Sequence, residues 1–113
     1  MGLDCSHDAF HGAYSAFNRL RQEVCRAAGG EYNIESNPGL FEFLNHSDCD
    51  GEISPEMCKL VADELEELMP KFKESLPPSG GHIALQEGYV NVLRKFIEGC
   101  RAAYAAGEPL IFS

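Results

Sequence analysis

Apolar residues recur at steps of three and four along most of this sequence, and glycine- and proline-rich breaks separate the runs. That spacing places the apolar side chains on one face of an α-helix. The clearest run extends over residues 8–28 and ends at Gly29-Gly30, where a left-handed residue is favoured. Its apolar positions are Phe10, Ala13, Phe17, Leu20, Val24 and Ala27. We therefore predict a first helix over residues 8–28.

Two further helices have recognisable start signals. Asn37-Pro38 is typical of an N-cap followed by a proline in the first turn, which predicts a short helix up to about Asn45. Ser54-Pro55 combines a capping hydroxyl with the same proline position and predicts a third helix. Pro70 either ends or kinks that helix. The apolar face of the third helix is predicted to contain Cys58, Val61, Ala62, Leu65, Leu68 and Met69.

The C-terminal part of the chain predicts one more helix and an ordered tail. The helix is expected over residues 83–106 and ends at Gly107, with Tyr89, Leu93, Phe96, Cys100 and Ala103 facing inward. The tail Leu110-Ile111-Phe112 is too apolar to stay in water, so we expect it to dock as a short extended segment. No convincing strand pair is evident. The prediction is an all-α fold, a single domain over residues 1–113 built as a small bundle of three long helices and one short helix.

The charge and the cysteines limit the classes of function. Eighteen acidic against nine basic residues give a net charge of −9, which disfavours binding to nucleic acid or to anionic membranes. No apolar run approaches the roughly 20 residues that span a bilayer, and the N-terminus lacks the pattern of a secretory signal. An odd number of cysteines without a Cys-x-x-Cys pair favours reduced thiols and a cytoplasmic location. The five are Cys5, Cys25, Cys49, Cys58 and Cys100.

The connection between the second and third predicted helices concentrates polar side chains. If Gly51 is aligned with the glycine of a calcium-binding EF-hand loop, Asp48 and Asp50 occupy the third and fifth ligand positions. The first position is His46 and the twelfth is Met57, so two carboxylate ligands of that motif are missing. The simpler interpretation is a tight Asp-Gly turn whose carboxylates accept backbone hydrogen bonds, and calcium binding is the alternative.

A site for zinc or another divalent metal is the second hypothesis. His7 and His11 are four residues apart, so on a helix they would share a face one turn apart and could chelate one ion. The polar connection would complete the coordination shell, and another histidine follows the glycine-rich loop before the last helix. The candidate ligands are His7, His11, His46, Asp48, Asp50 and His82. A metal at such a site would activate a bound water in a metal-dependent enzyme.

A nucleophilic cysteine is a weaker alternative for the same connection. Cys49 has His46 three residues before it as a candidate base. However, Asp48 and Asp50 flank the thiol, and their negative charge would raise its pKa and reduce the thiolate population. This electrostatic argument disfavours a cysteine hydrolase.

Three strings of the sequence carry a family resemblance. They are Met-Gly-Leu-Asp with the segment Ser6–Phe17, the segment His46–Ile53, and Gly81-His82-Ile83. Together they resemble a family of small uncharacterised proteins from bacteria and their phages. The resemblance implies a bacterial or phage cytoplasmic origin and brings no activity, cofactor or catalytic residue with it.

These observations predict a small acidic cytosolic binding or interaction protein with a protein partner. Its functional surface is expected where the six candidate ligands meet. The alternative is a divalent-metal-binding protein or a metal-dependent enzyme at the same place. A phage-encoded inhibitor that binds a basic host protein through the acidic surface is a third hypothesis. The sequence leaves the oligomeric state and enzymatic activity open.

Overall fold

The computed structural model describes residues 2–29, 35–46, 51–75 and 83–112, and most of these residues are helical. The helices in this part of the chain are α1 Tyr14–Ala27, α2 Pro38–Asn45, α3 Pro55–Ser75 and α4 Ile83–Ala106. The predicted helical character is therefore confirmed, and α3 continues past Pro70, which was one of the two alternatives. No helix in the described ranges is long and apolar enough to cross a bilayer.

The first helix begins later than predicted because the residues before it form a hairpin. Strand β1 Gly2–Asp4 pairs antiparallel with β2 His11–Ala13, and a 3-10 turn, Ser6–Asp8, lies between them. The φ angles of His7 and Asp8 are 58° and 57°, in the left-handed region that a right-handed helix excludes. The prediction of a helix from residue 8 is wrong, although Phe10 is still buried in the core.

The C-terminal segment docks in an extended conformation, as predicted. Strand β3 Glu52–Ile53 pairs antiparallel with β4 Leu110–Ile111. The amide of Phe112 donates to the carbonyl of Gly51 at 2.9 Å, and Phe112 also forms an isolated bridge with Cys5. The expectation of no strand pairs is wrong, because the described part of the chain contains two small antiparallel pairs, β1–β2 and β3–β4.

Helix α2 lies in close contact with α3 at Gly39. A Cβ atom on Gly39 would lie 2.5 Å from the backbone carbon and oxygen of Leu60, so only glycine fits at this crossing. The carboxylate of Glu64 accepts hydrogen bonds from the amides of Gly39 at 2.8 Å and Leu40 at 3.1 Å. Glu64 thus supplies the capping bonds that we expected from Asn37, whose side chain makes no capping bond.

The core is organised around the ring of Phe17 on α1. Its centroid lies 5.0 to 5.9 Å from the centroids of four other buried rings, which belong to Phe10, Phe43, Phe96 and Phe112. Edge-on and tilted ring pairs of this kind add to the free energy gained from apolar burial. The cluster therefore joins the N-terminal hairpin, α1, α2, α4 and the C-terminal segment.

Candidate functional site

The structure describes three of the six predicted metal ligands. His7, His11 and His46 lie in the described ranges, whereas Asp48, Asp50 and His82 lie outside them. Cys49 also lies outside. The calcium-loop, Asp-Gly-turn and cysteine-nucleophile hypotheses for this connection therefore stay predictions.

The prediction that His7 and His11 share one face of a helix is wrong. His7 lies in the 3-10 turn and His11 in strand β2, so the four-residue spacing does not correspond to one helical turn. The Nε2 atom of His7 lies 3.4 Å from Oε1 of Glu108, the residue that follows α4 and Gly107. His7 therefore contacts the segment that leads into β4.

His11 lies between two carboxylates. Its Nδ1 atom is 2.9 Å from Oδ1 of Asp4, and its Nε2 atom is 3.0 Å from Oδ1 of Asp8. Ionised carboxylates only accept hydrogen bonds, so both contacts are hydrogen bonds only when each ring nitrogen carries a proton and the ring is an imidazolium. The hydrogen bonds to Asp4 and then to Asp8 raise the pKa of His11. The hydrogen bond from His11, its charge and the charge of Lys95 lower the pKa of Asp8.

The two carboxylate contacts of His11 do not suit a metal site. Both of its nitrogens are occupied by carboxylates on opposite edges of the ring, so they do not converge on one ion. In the described ranges, no three histidine, cysteine, aspartate or glutamate side chains are grouped so as to hold a metal. We therefore assign neither His7 nor His11 to a metal site, and the metal role of the polar connection stays a prediction.

His46 packs against the C-terminal segment. Its ring lies 4.2 Å from the ring of Phe112, at an interplanar angle of 39°, and its Nε2 atom is 3.2 Å from the carbonyl oxygen of Glu52. The backbone carbonyl of His46 accepts a hydrogen bond from Arg21. His46 thus connects the end of α2 to the β3–β4 pair, which is a structural role.

A cleft that the sequence analysis did not predict lies where α2 meets α3 near the end of α1. Its volume is about 380 Å³, at the lower end of the range typical of small-ligand sites. We name it the α2–α3 cleft; the described residues that line it are Ala28, Asn37, Leu40, Glu64, Glu67, Leu68 and Lys71.

The α2–α3 cleft combines acidic and apolar side chains. Glu64, Glu67 and Leu68 recur at helical spacing along one face of α3, and Leu40 of α2 contributes buried apolar surface. Both carboxylate oxygens of Glu64 already bind amides of α2, whereas the side chain of Glu67 is exposed. Glu67 therefore supplies the negative charge that a ligand in the cleft would meet first.

The sequence contained a partial signal for this cleft. Four carboxylates occur close together on α3, and Glu64 and Glu67 line the cleft whereas their neighbours Asp63 and Glu66 do not. Only the position of α2 distinguishes Glu64 and Glu67 from those neighbours, and no local pattern reveals that position. Comparisons of the chain with protein-family models, curated proteins and solved structures find no match.

Proposed function

We propose that this chain is a small acidic binding protein that binds a positively charged protein partner and receives one of its basic side chains in the α2–α3 cleft. The observation that carries the proposal is the combination of Glu64 and Glu67 with the apolar surface of Leu40 and Leu68 in one cleft. A lysine or arginine side chain matches this lining, since an apolar stem leads to a cationic head.

The overall charge supports the same class of partner. The net charge of −9 attracts cations over distances comparable to the Debye length and accelerates their encounter with the protein. Several basic side chains are already paired with acids, including Lys59 with Asp63 and Arg101 with Glu66. Lys71 lines the cleft as well, so we expect the cationic head of the ligand to lie beside the glutamates.

The cellular setting in this proposal is a bacterial or phage-infected cytoplasm. The sequence resemblance implies that origin, and the described cysteines support a reducing compartment because Cys5, Cys25, Cys58 and Cys100 are free thiols. A metal-dependent enzyme is not proposed as a second function, because its chelating pair depended on a helical face that His7 and His11 do not share.

Titration of the labelled protein with a short lysine-rich peptide tests the proposal. We expect salt-sensitive NMR shifts at the amides of Leu40, Glu67 and Leu68, and none with a glutamate-rich peptide of the same length. Glu67→Gln should weaken binding by about 1.5- to fivefold, the effect of one exposed ionic contact.

The matched control is Glu74→Gln, which removes the same charge from an exposed position of the same helix outside the cleft. If both variants weaken binding equally, the affinity for the peptide depends only on the net charge of the protein, and the cleft is not the binding site. Shifts confined to other elements would also contradict the proposal.

A further inference from the structure

Asp4, Asp8 and His11 connect three consecutive elements of the N-terminal hairpin, by which we mean residues 2–13. Asp4 ends β1, Asp8 ends the 3-10 turn, and His11 begins β2 directly opposite Asp4. The two hydrogen bonds of 2.9 and 3.0 Å make the imidazole a bridge across the hairpin. We name these three residues the Asp–His–Asp triad.

The triad depends on one proton. A neutral imidazole carries a single N–H, so its second nitrogen would present a lone pair to a carboxylate. Loss of the proton therefore breaks one hydrogen bond and leaves two carboxylates without the cation between them. The backbone of the turn is itself unfavourable, since His7 and Asp8 both hold left-handed conformations that cost energy outside glycine.

The hairpin that the triad closes is attached to α4 and to the C-terminal strand. The hydroxyl of Ser6 accepts a hydrogen bond from the amide of Ile111 at 2.8 Å. Ala9 fits against Gly99 of α4, where a Cβ atom would lie 2.4 Å from the Cβ of Ala9. Leu3 and Phe10 contribute buried side chains to the core. Opening the hairpin would therefore expose apolar surface.

We propose that the Asp–His–Asp triad is a pH-dependent switch: protonated His11 holds the N-terminal hairpin closed on α4 and β4, and loss of the proton releases it. This inference is independent of the proposed binding function.

The charged groups around the triad come from two other places in the described ranges. Lys95 of α4 acts on Asp8, and Glu108 faces His7 in the same turn. The imidazolium of His11 is the cation that directly bridges both carboxylates.

The direction of the pH dependence follows from the two perturbed groups. The pKa of His11 is raised above 6.5, so its stabilising effect is complete below that value and is lost as pH rises through the pKa in the folded protein. The pKa of Asp8 is lowered below 3.8, so its contribution is lost only in strong acid. The hairpin is therefore closed in mildly acidic solution and opens on the alkaline side.

Amide hydrogen exchange of the full chain between about pH 6 and about pH 9, corrected for intrinsic base catalysis, tests the switch. In the wild type, protection of the β1–β2 amides and of the Ile111 amide should fall with the same midpoint as the His11 ring titration, followed by NMR in the same sample. Binding of a fluorescent apolar dye should rise with that midpoint. Protection that stays constant while His11 titrates would overturn the proposal.

Variants separate the triad from other titrating groups. Asp4→Asn should move both the His11 titration and the loss of protection to lower pH together. His11→Gln should make hairpin protection independent of pH over this range. His7→Gln is the control, and it should leave the midpoint unchanged. A wild-type pH dependence that persists in His11→Gln, or that follows His7 instead, would overturn the proposal.

Discussion

Glu64 and Arg21 bind the two opposite ends of α2, one from α3 and the other from α1. Glu64 accepts hydrogen bonds from the first amides of α2, and Arg21 donates to the carbonyl of Phe43, at 3.4 Å, and to that of His46. An acid at a helix N-terminus and a base at its C-terminus both interact favourably with the helix dipole. A helix of only eight residues is thus fixed by charges from two neighbours.

Removing the carboxylate of Glu64 should destabilise the protein. Glu64→Gln retains the size of the side chain but loses a charge-assisted cap on two amides, so we expect the free energy of unfolding to fall by about 1–2 kcal/mol. Urea unfolding followed by circular dichroism measures this change. Glu67→Gln, one turn further along α3, is the control and should stay within about 0.5 kcal/mol of the wild type. Equal midpoints for both variants would contradict the capping role.

Replacing Arg21 should have a similar effect at the other end of α2. The guanidinium also binds Asn18 Oδ1 at 2.6 Å and lies over the ring of Phe17, 5.0 Å from its centroid. Arg21→Met keeps an apolar stem but removes the hydrogen bonds to the carbonyls of Phe43 and His46, so we expect a loss of about 1–2 kcal/mol in unfolding free energy. Arg19→Met removes the same charge from an exposed position of α1 and should change stability little. If the two variants have the same unfolding free energy, the hydrogen bonds from Arg21 do not stabilise the docking of α2.

Substitution by alanine should have opposite effects on stability at two glycines, Gly39 and Gly88. Gly39→Ala places a methyl group against the backbone of Leu60, and overpacking of this kind costs about 1–3 kcal/mol. Gly88→Ala lies inside α4, where the added Cβ meets no described residue beyond its own helix within 4 Å, so higher helix propensity should stabilise the protein by up to about 1 kcal/mol. Thermal melts of the two variants compare them directly. Destabilisation by Gly88→Ala, or none by Gly39→Ala, would contradict the packing described.

Two adjacent residues of the C-terminal segment test how far the aromatic cluster depends on this segment. Phe112 is 3% exposed and packs on Phe17, whereas Ile111 is 46% exposed. Phe112→Ala should cost about 3–5 kcal/mol, because it removes a buried ring and leaves a cavity. Ile111→Ala should cost much less. Chemical denaturation of both variants gives the comparison, and similar losses would mean that the C-terminal segment contributes backbone pairing only.

The sequence predicted the parts of the fold that have local signals. Proline in the first turn located the starts of α2 and α3, and Gly107 located the end of α4. The start of α1 was misplaced because Phe10 continues the apolar spacing of the helix from a position that the structure gives to the hairpin. The strands were missed because two or three residues are too few to show alternation.

The candidate site was less predictable from the sequence than the helices. Four-residue spacing suggested that His7 and His11 share a face, but spacing carries this meaning only inside a helix. The bridge between His11 and Asp4 depends on strand pairing across seven residues, and the α2–α3 cleft depends on where α2 docks. Both are tertiary features with no local pattern.

The dependence of α2 on its neighbours links its own formation to ligand binding. An isolated helix of eight residues is not stable in water, so α2 forms only while it is docked, and its amides should exchange with solvent as one cooperative unit. The α2–α3 cleft exists only in that docked state. Any molecule that binds only the formed cleft must therefore make the local unfolding of α2 less favourable, by an amount RT ln(1 + [L]/Kd) that grows with the concentration of the ligand.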